Sequence, residues 1–109
     1  MDKEMMKGSI DILILALLYK QDMYGYQIAK SLKEESDNQY KMSEGTLYPA
    51  LKRLEAKGLL QSYWQDADDG KRRKYYSLTE QGKESYTHKL EQWQKIHSLI
   101  MKVAQEGYA

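Results

Sequence analysis

A chain of 109 residues with no cysteine and a net charge of +1 has room for one modest core. It excludes a disulfide scaffold, a thiolate zinc site and a cleft between two large domains. The near-neutral total gives no general reason for a nucleic-acid partner, yet the charge is unevenly placed: Lys71, Arg72, Arg73 and Lys74 are contiguous and follow the acidic Asp66, Asp68 and Asp69. Ten tyrosines and two tryptophans with no phenylalanine supply ring area that keeps a hydrogen-bonding handle, which suits wet interfaces. The most apolar stretch, Ile12 to Leu18, falls well short of the roughly 20 residues that span a bilayer, and no small-residue cleavage site follows it. The expectation is a cytoplasmic chain with neither membrane span nor signal peptide.

In chain order, a first helix is expected over about 5–20, apolar around nearly its whole circumference and wanting burial on several sides. A second, over about 25–36, places Ile28, Ala29 and Leu32 at helical spacing and ends near Ser36-Asp37-Asn38. Ser43 is a suitable N-cap for a third helix over about 43–57, in which Leu47, Ala50, Leu51 and Leu54 form the buried stripe and Gly58 supplies the stop. Pro49 inside it forfeits a backbone hydrogen bond and presses on the carbonyl of Gly45, so a kink or a frayed first turn is expected. Two runs, about 59–65 and 72–78, flank the turn-rich Asp-Ala-Asp-Asp-Gly-Lys and read as a β-hairpin.

Thr79 then caps a helix reaching about Gln105, with Tyr86, Leu90, Trp93, Ile96, His97, Ile100 and Val103 recurring at three- and four-residue steps. Its length approaches 40 Å, whereas a body built from residues 1–78 has a diameter of about 25 to 30 Å. The helix must then project, its apolar stripe needing a second chain; the alternative is that it folds back or ends early near Ser98 and leaves a monomer. The fold class expected is mostly α with a small β-hairpin: a winged helix-turn-helix over 1–78 and a dimerisation helix over 79–109.

With its apolar stripe facing inward, the third helix leaves Glu44, Gly45, Tyr48, Pro49, Lys52 and Arg53 on or near its outward side. A helix so placed fits the major groove of duplex DNA, its N-terminal residues nearest the base edges and Lys52 and Arg53 nearer the phosphates. Lys71, Arg72, Arg73 and Lys74 repel one another unless an anionic partner neutralises them, and a phosphate backbone does so; the alternative is a solvated charged loop offset by Asp66, Asp68 and Asp69. Together with Tyr24, Ser43 and Thr46 these residues form the candidate DNA-contact set. The rival reading is a winged-helix protein-interaction adaptor that does not bind an operator.

Three blocks closely resemble the PadR family of regulators: Tyr24-Gly25-Tyr26, the run from Glu44 to Glu55, and the run from Gly70 to Thr79, within a likeness that spans about residues 5–105. The resemblance implies a dimeric bacterial regulator, mostly repressing, that binds double-stranded DNA at an inverted-repeat operator. The single C-terminal helix matches the compact subgroup that includes a lactococcal multidrug-responsive repressor. In the family the first and last helices form the dimer interface, which here implies Ile10, Leu13, Ile14 and Leu17 facing the stripe of the final helix. A tryptophan of the final helix can line a pore between subunits there, and Trp93 stands at the matching place. Two indoles across a two-fold axis can sandwich a small planar aromatic effector, set against ordinary dry packing at the same position.

Catalysis fails on inventory. His88 and His97, nine residues apart on one helix, point to roughly opposite faces and cannot share a metal. The Asp66-Asp68-Asp69-Gly70 stretch lacks the glycine position and the closing glutamate of a calcium loop, and no phosphate cradle or nucleophile elbow is present. No enzyme activity, metal or cofactor is expected.

Overall fold

The apolar first segment forms two helices where one was expected. In the computed structural model, which describes residues 1–106, α1 (Lys3–Lys7) is capped by Asp2, whose side chain accepts from the Glu4 N–H at 2.8 Å. Gly8 and Ser9, both weak helix formers, end it, and α2 (Ile10–Lys20) starts afresh. A two-residue strand, β1 (Met23–Tyr24), precedes α3 (Gly25–Glu35), whose first turn is held by the Gln27 side chain accepting from the Tyr24 N–H at 3.1 Å. Asp37 and Asn38, at φ 53° and 66°, take the left-handed conformation that turns the chain after α3.

The third long helix, α4 (Glu44–Ala56), starts as expected: Ser43 Oγ accepts from the Thr46 N–H at 3.2 Å. It runs as helix from Glu44 without interruption through Pro49, so its first turn is not frayed. Only the bond to Gly45 is forfeited, while buried Leu47, Ala50 and Leu51 fix the helix on either side. It stops in a Schellman motif, with Leu59 N–H donating to Leu54 O and Gly58 N–H to Glu55 O, and Gly58 at φ +79° is the residue that permits it.

The wing is β2 (Leu60–Asp66) and β3 (Arg72–Leu78), antiparallel in register from Leu60↔Leu78 to Asp66↔Arg72. Unexpectedly, β1 adds a third strand through Met23↔Tyr76 and Tyr24↔Tyr75, giving the order β1-β3-β2. Thr79 links the wing to α5 (Glu80–Glu106): its hydroxyl donates to Gly58 O at 2.7 Å and accepts from the Gly82 N–H at 3.0 Å. A Cβ built on Gly82 would lie 2.1 Å from Leu59 O, so only glycine lets this corner close so tightly.

The core gathers Ile14, Leu15, Ile28, Leu47, Leu51 and Leu54, all essentially without solvent exposure, at the junction of α2, α3, α4 and the sheet. The first turns of α5 lie on α2, where Tyr86 meets Tyr19 with ring centroids 5.1 Å apart. Beyond that α5 leaves the head as a stalk: every residue from Glu91 to Gln105 is exposed, and the molecule measures 59 × 30 × 21 Å. The last part of the expected 79–109 helix, residues 107–109, lies outside the described residues. No helix among the described residues is long and apolar enough to cross a membrane.

Candidate nucleic-acid interface

The outward face of α4 carries Glu44, Gly45, Tyr48, Pro49 and Lys52, all exposed, with Thr46 half-buried beside the cap residue Ser43. Tyr48 leans back over α3. A Cβ at Gly25 would meet its hydroxyl at 2.6 Å, so the missing side chain is what lets α4 and α3 approach here. Arg53 does not join this face. Its guanidinium pairs with Asp11 at the start of α2, which lies with Lys7, His88 and Trp93 around a separate cleft. The helical wheel placed Arg53 outward correctly but could not show the acid across from it, with which it forms an exposed intramolecular ion pair.

The basic run divides by strand alternation. Lys71 lies in the turn, while Arg72, Arg73 and Lys74 lie on β3. Arg72 and Lys74 share the sheet face that looks toward α4, where Ser62 of the same face donates to Glu55 Oε2 at 2.7 Å. Arg73 alternates to the other face, where it bonds Asp69 Oδ2 at 2.9 Å and lies over the Tyr24 ring at 5.2 Å, yet its side chain still lines the cleft beside α4 with Arg72 and Lys74. The Lys71 backbone N–H and then the Arg73 guanidinium hold the Asp69 carboxyl below its ordinary pKa. Of the acids weighed as a calcium loop, Asp69 therefore braces the turn, and among the described residues no group of three or more His, Cys, Asp or Glu side chains could hold a metal.

On that second face an aromatic row locks the wing to the head. Tyr63 stacks on Tyr75 (5.7 Å between centroids), Tyr75 meets Tyr24 edge-on (5.3 Å) and Tyr24 stacks on Tyr26 (6.4 Å). The Tyr63 hydroxyl donates to Asp22 Oδ2 at 2.6 Å, and this bond to a carboxylate pushes its pKa up to about 12. Tyr24 thus serves as a wing support and as a wall of the cleft between α4 and the wing. That cleft also holds Gly25, Tyr26, Trp64 and Tyr76, which the expected contact set omitted; Tyr26 and Trp64 are large and exposed, and the Tyr24-Gly25-Tyr26 block is the one signal that pointed to any of them.

At the opposite end, Trp93, Ile96, Ile100 and Val103 form an exposed stripe on the stalk, and His97 stacks flat on Trp93 at 5.2 Å. Tyr86 and Leu90 are half-buried at its base, near Ile10 and Leu13, which are half-buried on α2. Ile14 and Leu17, placed by the resemblance at the dimer interface, are buried in the protomer's own core. An all-apolar helix does not reveal which of its sides its own chain covers, and these two leave almost no surface for a second chain.

A helix-turn-helix with a basic wing beside an exposed recognition helix defines a DNA-binding regulator of the winged-helix class. The family model that matches, over residues 14–88, is that of the PadR-like transcriptional regulators. The chain is similar to a solved transcriptional regulator of Clostridium thermocellum, at 36% identity and TM-score 0.84 over 94% of this chain and 96% of that one. It also resembles a PadR family transcription regulator of Clostridium difficile, at 43% identity and TM-score 0.76 over 85% and 95%. A transcriptional regulator of Mycobacterium tuberculosis is 35% identical over 85 residues, 78% of this chain and 76% of that one. The chain belongs to the PadR-like family.

Proposed function

We propose that this protein is a cytoplasmic repressor that binds an inverted-repeat operator as a homodimer, reading the major groove with the N-terminal half of α4 and gripping phosphates with the wing. The observation that carries the reading is the placement of Arg72 and Lys74 on the sheet face that looks toward α4, with Tyr48 and Lys52 exposed on that helix. Among the described residues no acid pairs with Arg72 or Lys74. The stalk stripe of Trp93, Ile96, Ile100 and Val103 supports the two-fold partner, which sets half-sites about 34 Å apart or a multiple of that.

The test is an anisotropy titration against the protein's own promoter region, with unrelated DNA as competitor, at two salt concentrations. Operator binding gives competitor-resistant affinity that falls as salt rises, and Arg72→Ala with Lys74→Ala weakens it while the dimer persists. Unchanged affinity in that variant, or binding no tighter than to random DNA, favours the protein-interaction adaptor.

Release by a small planar aromatic effector is the second part of the proposal. It is supported by the half-exposed Trp93 ring, which lines both the cleft beside Asp11 and an apolar cleft formed with Met6, Leu13 and Leu90. Saturable quenching of Trp93 emission by planar aromatic compounds, with loss of operator binding, is the expected result. No response across a broad panel would sink it.

A further inference from the structure

We infer that the cleft between α4 and the wing seats a single sugar-phosphate strand of the operator, and that Trp64 closes that seat by donating its indole N–H to a phosphate oxygen while its ring packs on the adjoining deoxyribose. The inference rests on the operator-binding reading and adds a contact made without a cation. The cleft has a volume of about 390 Å³, the scale of a small ligand and too little for a duplex. Its lining includes Arg72, Arg73 and Lys74 with Tyr24, Tyr26 and Tyr48, and no carboxylate residue, although Arg73 pairs with Asp69 just outside it. Cations and neutral donors without an acid select an anion.

Trp64 stands directly across the ladder from Lys74, so alternation puts both on the face turned toward α4. Its ring is 58% exposed, Tyr26 is 64% exposed and Tyr48 47%. One exposed ring is ordinary, but three around one basic cleft are a surface without its occupant. Indole N–H donates and cannot accept, which matches a phosphodiester oxygen. The cleft opens beside the outward face of α4, so a strand lying in it continues along the groove that α4 would enter. Contacts of this kind fix register and carry no base preference.

In a W93F background, Trp64 is the sole indole and its emission is titrated with promoter duplex while labelled DNA reports anisotropy in parallel. The expected result is an emission change that saturates with the anisotropy. W64A weakens binding about ten-fold, by the same factor for promoter and random duplex, and leaves the salt slope unchanged, whereas K74A lowers that slope by about one. Trp64 is on the surface, so W64A retains its fold, and W64F keeps the ring while losing the donor and falls between the two. Tight binding with flat Trp64 emission, or a W64A affinity equal to that of the parent, overturns the strand seat alone. Anisotropy without competitor-resistant binding overturns the operator reading and the strand seat with it.

Discussion

The head and the stalk spend their apolar residues in opposite ways. Every buried hydrophobic side chain among the described residues lies between Ile14 and Leu78, where α2, α3, α4 and the sheet close around one another. In the stalk, Trp93, Ile96, Leu99, Ile100 and Val103 are each about half or more exposed, although their spacing is as regular as that of Leu47, Ala50, Leu51 and Leu54. Periodicity marks which side of a helix wants cover. It does not say whose chain supplies the cover, and only the length of α5 against the size of the head answers that.

The sharpest way to break this contrast is Ile96→Asp with Ile100→Asp. If the stalk is covered by a second copy, two carboxylates per chain are forced into an apolar interface at several kcal/mol, on the order of a thousand-fold or more in the dimer dissociation constant. Sedimentation then shows a monomer, and a sedimentation profile identical to the parent's means the stripe faces solvent. Within the head, Leu54→Ala removes a fully buried side chain and costs about 2–5 kcal/mol, read as a lowered denaturation midpoint with the dimer intact under native conditions.

Thr79→Ala tests the joint between the regions: losing the α5 cap and the bond to Gly58 O costs about 1 kcal/mol, seen as a modest fall in Tm. The smallest effect is Tyr63→Phe, at less than about 1 kcal/mol. Because the Tyr63 pKa is raised when folded, its contribution is present below the ordinary phenol pKa near 10 and is lost as pH rises through about 12. A spectroscopic alkaline titration is expected to show a phenol titrating near 12 in the parent that is missing in Tyr63→Phe, while the raised phenols of Tyr40, Tyr75 and Tyr76 remain in both.

Much of this architecture was legible from local chemistry. Ser43 and Thr79 cap where hydroxyls before apolar runs should, Gly58 stops α4, and the Asp-rich turn makes the hairpin. The misses were non-local. Met23-Tyr24 is too short to show alternation and becomes a strand only because β3 offers an edge. Arg53 looks outward on any helical wheel, and its pairing with Asp11 depends on how α4 packs against α2. Ile14 and Leu17 were indistinguishable from Ile10 and Leu13 until the head had closed. The wing cations were read as one cluster, and although alternation puts Arg73 on the other face of β3, Arg72, Arg73 and Lys74 line one cleft; Trp64 was passed over because its facing residue, Lys74, is set by register alone.

The corner at Thr79 and Gly82, with Tyr86 packed on Tyr19 of α2, roots α5 in the head and leaves the stalk from Glu91 as the free arm of a lever. That arm is about 24 Å long, so a swing of about 10° where it leaves α2 carries the far end through about 4 Å, roughly one base-pair step along a duplex at 3.4 Å. In the proposed dimer, the hydroxyl of Thr79 and the bare Cα of Gly82, which anchor the root of α5, would help set the gauge at which two heads are held apart.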